Sequence, residues 1–284
     1  MYSVYELLYL VSILEYYEPE LVKIIEYYIN TYFFQKKIGK KEFKDVVKLW
    51  CNANTRNECL NVYGHVAYWD VSKITDMSGL FYYNEEFNND ISRWNVSNVT
   101  NMKYMFCYAY KFNQPIGNWN VSKVTNMWCL FKDATKFNQP IGNWDVSKVT
   151  NMYGMFNFAY RFNQKINNWN TSNVTNMAGM FLYAYAFIQP IEDWDVSNVI
   201  SMKDMFYNAI NFNQPLHLWD VSKVTDMNGM FKESNYNQPL NLWNILNVTN
   251  IKYIFTEGYC LRQPETCEHF NSCFAKNTVS FLKK

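Results

Sequence analysis

The chain has 284 residues and a mass of 34.0 kDa, with 26 Lys and Arg against 25 Asp and Glu and a formal net charge of +1. That near-neutral balance excludes general nucleic-acid binding, which needs a cationic surface to neutralise phosphates, and a hydrophobic content of 49% excludes global disorder. With only 9 Gly and 7 Pro, turns must be built from Asn, Asp and Ser.

Residues 1–38 predict a helical hairpin. Leu7, Leu8, Val11 and Leu14 fall on one helical face. Pro19 and Glu20 suit the first turn of a second helix, whose apolar face is Leu21, Ile24, Ile25, Tyr28, Ile29 and Tyr32. Glu6 and Glu15 interrupt the first apolar stretch, and neither a basic leader nor a small-residue cleavage site accompanies it. It therefore reads as neither a signal peptide nor a membrane span. Residues 35–41 form a basic linker. Residues 39–68 are expected to cap a repeat array, with Phe43, Val46, Val47 and Trp50 as a helical stripe covering its first coil.

Residues 69–255 carry the dominant signal. Trp69, Trp94, Trp119, Trp144, Trp169, Trp194 and Trp219 stand 25 residues apart, and Trp243 follows after 24. A short, constant period means stacked repeats that bury one another's apolar faces. Within a unit, Met152, Met155, Phe156 and Ala159 are spaced i, i+3, i+4 and i+7, which predicts a helical turn. Phe162, Ile166 and Trp169 predict an extended segment into the next coil. Five prolines (Pro115, Pro140, Pro190, Pro215 and Pro239) share one slot after Asn-Gln or Ile-Gln, where a fixed φ and a missing N–H suit a turn. The fold expected is α/β: a right-handed, leucine-rich-repeat-like solenoid of about eight coils, each a short parallel strand plus a helical turn. Residues 256–284 break the period and are expected to cap the far end.

The string Phe-Asn-Gln-Pro-Ile-x-x-Trp-Asp-Val-Ser-x-Val-Thr-x-Met-x-x-Met-Phe-x-x-Ala, nearly whole at 137–159 and 212–234, resembles the BspA-like leucine-rich repeat family of mycoplasma surface proteins and giant-virus proteins. The likeness covers roughly residues 63–255, with a similar lead-in at 46–50 and 63–66. It implies an irregular leucine-rich-repeat solenoid and protein interaction or adhesion. It implies no catalytic residues and no cofactor.

Asp70, Asp145, Asp195 and Asp220 share a position with Asn95, Asn120, Asn170 and Asn244. Half the set is neutral, so it reads as side-chain-to-backbone turn bonds rather than a calcium ladder. The Thr75, Thr100, Thr125, Thr150, Thr175, Thr225 and Thr249 column reads as ordinary inter-coil packing. The glycosylation sequons at Asn95, Asn98, Asn120, Asn173 and Asn247 fall inside the repeat consensus and read as structural. The seven cysteines (Cys51, Cys59, Cys107, Cys129, Cys260, Cys267 and Cys273) are odd in number and irregularly spaced, which reads as reduced thiols. Cys260, Cys267, His269 and Cys273 lack the paired knuckle of a zinc site, so no metal site is assigned. His65, His217 and His269 lie far apart, and no enzymatic constellation is present.

The candidate binding residues lie in the variable stretch between the two Phe columns. Tyr83, Tyr108, Phe158 and Tyr183 form one column, and Tyr110, Tyr160 and Tyr185 a second. Aromatic columns of this kind make low-entropy contact surfaces. The function expected is a non-enzymatic protein–protein interaction scaffold, with no nucleic acid, no membrane span and no cofactor. One alternative is an adhesin of a cell or virion surface that binds glycans or host proteins. A second is an adaptor for a ubiquitin ligase, since residues 18–25 faintly resemble the start of an F-box. The missing leader points to an intracellular location (host cytoplasm if the protein is viral), with the virion as the other possibility.

Overall fold

The computed structural model describes Ile25, residues 38–256 and residues 258–276. The hairpin expected over 1–38, and the F-box-like segment in it, therefore lie outside the described residues apart from Ile25 and Ile38. Helix α1 (Phe43–Cys51) forms because Phe43, Val46, Val47 and Trp50 repeat at helical spacing, and all four are buried. Asp45 in its first turn and Lys48 in its last complement the helix dipole. Helix α2 (Arg56–Tyr63) ends at Gly64, whose φ of 73° few side chains tolerate. The expected stripe does cover the first coils. Phe43 meets Trp94 edge-on at 5.9 Å and Trp50 meets Trp69 at 5.8 Å. Lys44 reaches Asp76, the Ser78 carbonyl and the Ser78 hydroxyl at 2.8–3.0 Å, which covers polar groups that have no preceding coil to bond.

From Trp69 to Phe255 the chain is a stack of coils, each lying against the residues about 25 positions on. Isolated parallel bridges run from Asp76 through Asn101, Asn126, Asn151, Asn176, Ser201 and Asp226 to Asn250. The expected α/β solenoid of strand-plus-helix coils is corrected here. Among the described residues the coils contain neither a helix nor a strand longer than a single bridge. The reason lies in the backbone. Gly154 and Phe158 sit at φ of 58° and 57°, and left-handed residues four apart cannot belong to a right-handed helix. The N–H groups of Met152, Gly154, Phe156 and Phe158 donate to carbonyls of the next coil at 2.8–3.0 Å. Those of Met155, Asn157 and Ala159 turn back three residues within the coil at 3.0–3.2 Å. This alternation recurs along the stack, so the donors are satisfied without helix or sheet.

The apolar set is buried as its spacing demands, even though no helix carries it: Met152, Met155, Phe156, Ala159, Phe162 and Ile166 are fully buried. Each such Met, Phe or Ile contributes about 1.5–3 kcal/mol. Phe rings of successive coils stack at 5.5–5.8 Å from Phe81 to Phe231. The tryptophans act as staples between coils. The indole N–H of Trp94 donates to the Val66 carbonyl at 2.8 Å, and that of Trp144 to Ile116 at 3.1 Å, a bond repeated through Trp243 to Leu216.

The polar columns do what the sequence suggests. Asp145 Oδ1 accepts the Ser147 N–H at 3.0 Å, and Asn120 accepts that of Ser122 at 3.1 Å. Both the N–H and the hydroxyl of Thr100 donate to the Thr75 carbonyl. Of the sequon asparagines, Asn98 and Asn173 are spent on carbonyls of the preceding coil. At the far end α3 (Tyr259–Arg262) and α4 (Pro264–Lys276) continue the inter-coil bonds with side chains. The Leu240 N–H donates to Thr266 Oγ1 at 3.0 Å, and His269 Nε2 meets the Trp243 carbonyl at 2.7 Å. The reading of all cysteines as reduced thiols is also corrected. Cys260 and Cys267 form a disulfide across the α3–α4 junction, where their Cα atoms lie 5.6 Å apart. Cys51, Cys59, Cys107 and Cys129 are free.

Candidate functional site

Each coil from Gly79 to Glu233 carries two left-handed residues on one side of the stack, and Tyr253 repeats the first of them, with φ between 51° and 63°. The first is Gly79, Tyr104, Cys129, Gly154, Gly179, Asp204, Gly229 or Tyr253. The second is Tyr83, Tyr108, Asp133, Phe158, Tyr183, Asn208 or Glu233. A bulky residue at positive φ costs about 1–2 kcal/mol. The inter-coil bond made by its own N–H, such as Tyr108 to the Lys132 carbonyl at 2.8 Å, holds it there. Identity varies from coil to coil along this side, while the buried Met, Phe and Trp positions hardly change.

The seven predicted site residues all lie on this face. Tyr83 and Tyr108 stack at 4.3 Å with 7° between their planes, and Phe158 and Tyr183 at 4.5 Å with the same angle. In the second column Tyr160 and Tyr185 stack at 5.0 Å. Tyr110 meets Tyr108 edge-on at 6.3 Å, as Tyr160 meets Phe158 at 6.0 Å. Tyr83 is 55% exposed and Tyr160 37%, and the others are half-buried. The structure does not join them into one ladder. Asp133 and Thr135 occupy the aromatic positions of the intervening coil, so the face divides into a Tyr83–Tyr108–Tyr110 patch and a Phe158–Tyr160–Tyr183–Tyr185 patch.

Other residues on this face stand outside the seven, although Tyr82 and Tyr207 belong to the same variable stretch. Tyr82, 44% exposed, lies 4.4 Å from Tyr83, and Tyr207 lies 5.5 Å from Tyr183. Three lysines lay their ammonium groups on rings. Lys103 is 5.0 Å from Tyr104 and 4.0 Å from Trp128, and Lys132 is 5.1 Å from Tyr108. Lys232 lies between Tyr207 and Tyr253, at 5.4 and 5.2 Å. The signal was available in the period itself: Lys132 follows Tyr108 by 24 residues, and Trp128 follows Lys103 by 25.

Electrostatics follow from this packing. Burial pushes the Asp133 carboxyl up, with Lys132 opposing it. Burial would lower Lys132, but the Tyr108 hydroxyl and Asp133 outweigh it and raise it. Burial and then Asp133 raise Tyr110. Burial, the Tyr185 hydroxyl and Asp133 raise Tyr160. Burial raises Cys107 to about 12 and Cys129 to about 11. A cavity of about 300 Å³ lies where the cap meets Tyr83, lined in part by Cys51, Arg56, Glu85 and Glu86. Among the described residues no group of three or more His, Cys, Asp and Glu is placed to hold a metal, and no helix is long and apolar enough to cross a membrane.

Comparison with known proteins ties the repeat to a family. The profile described as "Mycoplasma protein of unknown function, DUF285" matches residues 44–169 and again 150–268. No curated protein and no solved structure matches the chain. The two matches together span most of the sequence, including α1 but for Phe43, the coil stack, α3 and the start of α4. The chain belongs to the DUF285 family, the mycoplasma-type repeat family that the BspA-like consensus resembles.

Proposed function

We propose that this chain is a non-enzymatic interaction scaffold that binds a protein partner through the aromatic face of its coil stack. One observation carries the reading: half-exposed rings that vary from coil to coil are mounted on a fixed, fully buried frame. Rigid tyrosines contribute large contact area at little entropic cost, and a repeat frame keeps them in register over several coils. The same face could hold a sugar against a ring pair such as Tyr160 and Tyr185, which is the second reading. An intracellular setting belongs to the proposal and not to the geometry.

The test replaces Tyr108, Tyr110, Tyr160, Tyr183 and Tyr185 with Ser in the full chain. Unfolding midpoint and circular dichroism first establish that the variant folds. Affinity capture is then compared with the parent. Loss of the captured protein supports the face, whereas full retention by the folded variant overturns it. Glycan-array binding that disappears in the same variant favours the adhesive reading.

A further inference from the structure

Among the described residues two lysine ammonium groups each lie on two rings: Lys103 on Tyr104 and Trp128, which also touch each other at 5.9 Å, and Lys232 on Tyr207 and Tyr253. The latter rings belong to coils separated by one intervening coil. Tyr110 and Tyr160 also lie two coils apart, at equivalent positions, with Thr135 in the coil between them. No ring contact joins them, and no cation of the described residues lies over either. Two coil spacings separate their planes by about 10 Å. An ammonium midway is then about 5 Å from each ring, inside the limit of a cation–π contact. Thr135 is short, and its hydroxyl donates to the Tyr110 carbonyl.

The gap also carries its own counter-charge. Asp133 lies two residues from Thr135, is half-buried, and has no side-chain hydrogen bond or ion pair among the described residues. Its charge acts on both Tyr110 and Tyr160. Lys132 acts on Asp133 electrostatically but makes no ion pair with it, and lays its ammonium on the Tyr108 ring. Asn157, whose carbonyl accepts the Asp133 N–H at 2.7 Å, is 8% exposed and leaves its Oδ1 without a partner. A half-buried carboxylate in the neighbouring column, acting on both rings, favours a cation over a neutral guest in the gap.

We propose that the gap between Tyr110 and Tyr160, beside Asp133, receives the ammonium group of a lysine from a partner protein. This rests on the scaffold reading and gives the partner a chemistry: a lysine projecting from its contact surface. The reach of a lysine stem lets the ammonium enter while the partner's backbone stays outside the rings.

The test needs no knowledge of the partner. The full chain, with ¹³C-labelled tyrosine rings, is titrated with a blocked Gly/Ser peptide carrying one central lysine. The same peptide with Nε-acetyllysine, and free n-butylammonium, are titrated in parallel. The expected result is saturable movement of the Tyr110 and Tyr160 ring signals with the lysine peptide, weaker movement with n-butylammonium, and none with the acetylated peptide. Asp133→Asn should weaken binding by about fivefold or more. Thr135→Lys places the chain's own ammonium in the gap and should abolish binding without lowering the unfolding midpoint. Equal binding of the acetylated peptide, an unchanged affinity in Asp133→Asn, or no ring shift at millimolar lysine peptide would overturn the proposal. Binding of n-butylammonium as tight as that of the peptide would overturn its assignment to a protein-borne lysine. Neither failure touches the broader scaffold reading, which the five-tyrosine variant tests separately.

Discussion

At the scale of single residues, the coil stack rests on positions where one added carbon decides the outcome. A Cβ on Gly142 would lie 2.5 Å from the Lys165 backbone carbonyl, which cannot move aside without breaking the stack. A Cβ on Gly179 would meet nothing closer than 3.9 Å, and Tyr104 and Cys129 already hold the equivalent left-handed position in other coils. Gly179→Ala should therefore cost about 1 kcal/mol from φ alone, and Gly142→Ala about 2–3 kcal/mol from overpacking. Chemical denaturation of the two variants checks the order, and equal losses would refute it. The free thiols give a second residue-scale test. Burial lifts Cys51 and Cys107 to about 12, and Cys59 and Cys129 to about 11. Thiolate is the reactive form, so at pH 8 iodoacetamide should leave all four unmodified in the native protein and label them in urea. Mass spectrometry of native protein labelled at Cys107 would contradict the packing.

At the scale of the coil, the apolar positions were legible in the sequence and the backbone was not. The 25-residue spacing of tryptophan fixed the register, and Met152, Met155, Phe156 and Ala159 are buried together as their spacing implies. That spacing suits a helix, but a turn with two left-handed residues four apart buries the same set. Tyr108, Phe158 and Asp133 give no hint of positive φ, because glycine usually marks it. The aromatic columns could be read from the period for the same reason as the core. The break at Asp133 and Thr135, and the lysines lying on rings, arise from contacts between coils that a reading along one coil does not reach. Two predictions belong to this scale. Trp144→Phe keeps the ring but leaves the Ile116 carbonyl buried without its donor, which should cost about 1–3 kcal/mol. A loss below a few tenths would mean that the staple is decorative. Hydrogen bonds from Ser147, Ser197 and Ser222 hold the carboxyls of Asp145, Asp195 and Asp220 below their ordinary value of 3.8. Depressed carboxyls contribute stability that is present above pH 3.8 and lost as pH falls through their folded values. The unfolding midpoint should thus drop below about pH 4. Changing all three to Asn should flatten that drop, since Asn120 makes the same turn without a charge. An unchanged acid profile would assign the loss to other groups.

At the scale of the whole molecule, stability is a sum over coils and their interfaces, closed by α1 at one end and α4 at the other. The chain itself shows how much register error such a stack absorbs. One residue is missing between Ser234 and Tyr236, yet Tyr236 still stacks on Phe212 at 6.2 Å and the Ser234 hydroxyl closes the shortened turn on the Phe231 carbonyl. Removal of a full period should therefore be tolerated. Deleting residues 125–149 joins Val124 to Thr150, so every remaining coil meets a neighbour in the register it already uses. The shortened chain should keep its circular dichroism, lower its urea m-value by roughly a tenth, and unfold at a slightly lower midpoint. Deleting 12 residues instead would set Trp against the polar columns and abolish cooperative unfolding. The full-period deletion also removes Asp133 and Thr135, which brings Tyr108 against Phe158 and Tyr110 against Tyr160 as one uninterrupted ladder. The divided face would then be a consequence of a single coil: the shortened chain should lose the lysine-peptide response while keeping its fold. If that response survives the deletion, the ammonium site lies elsewhere on the stack.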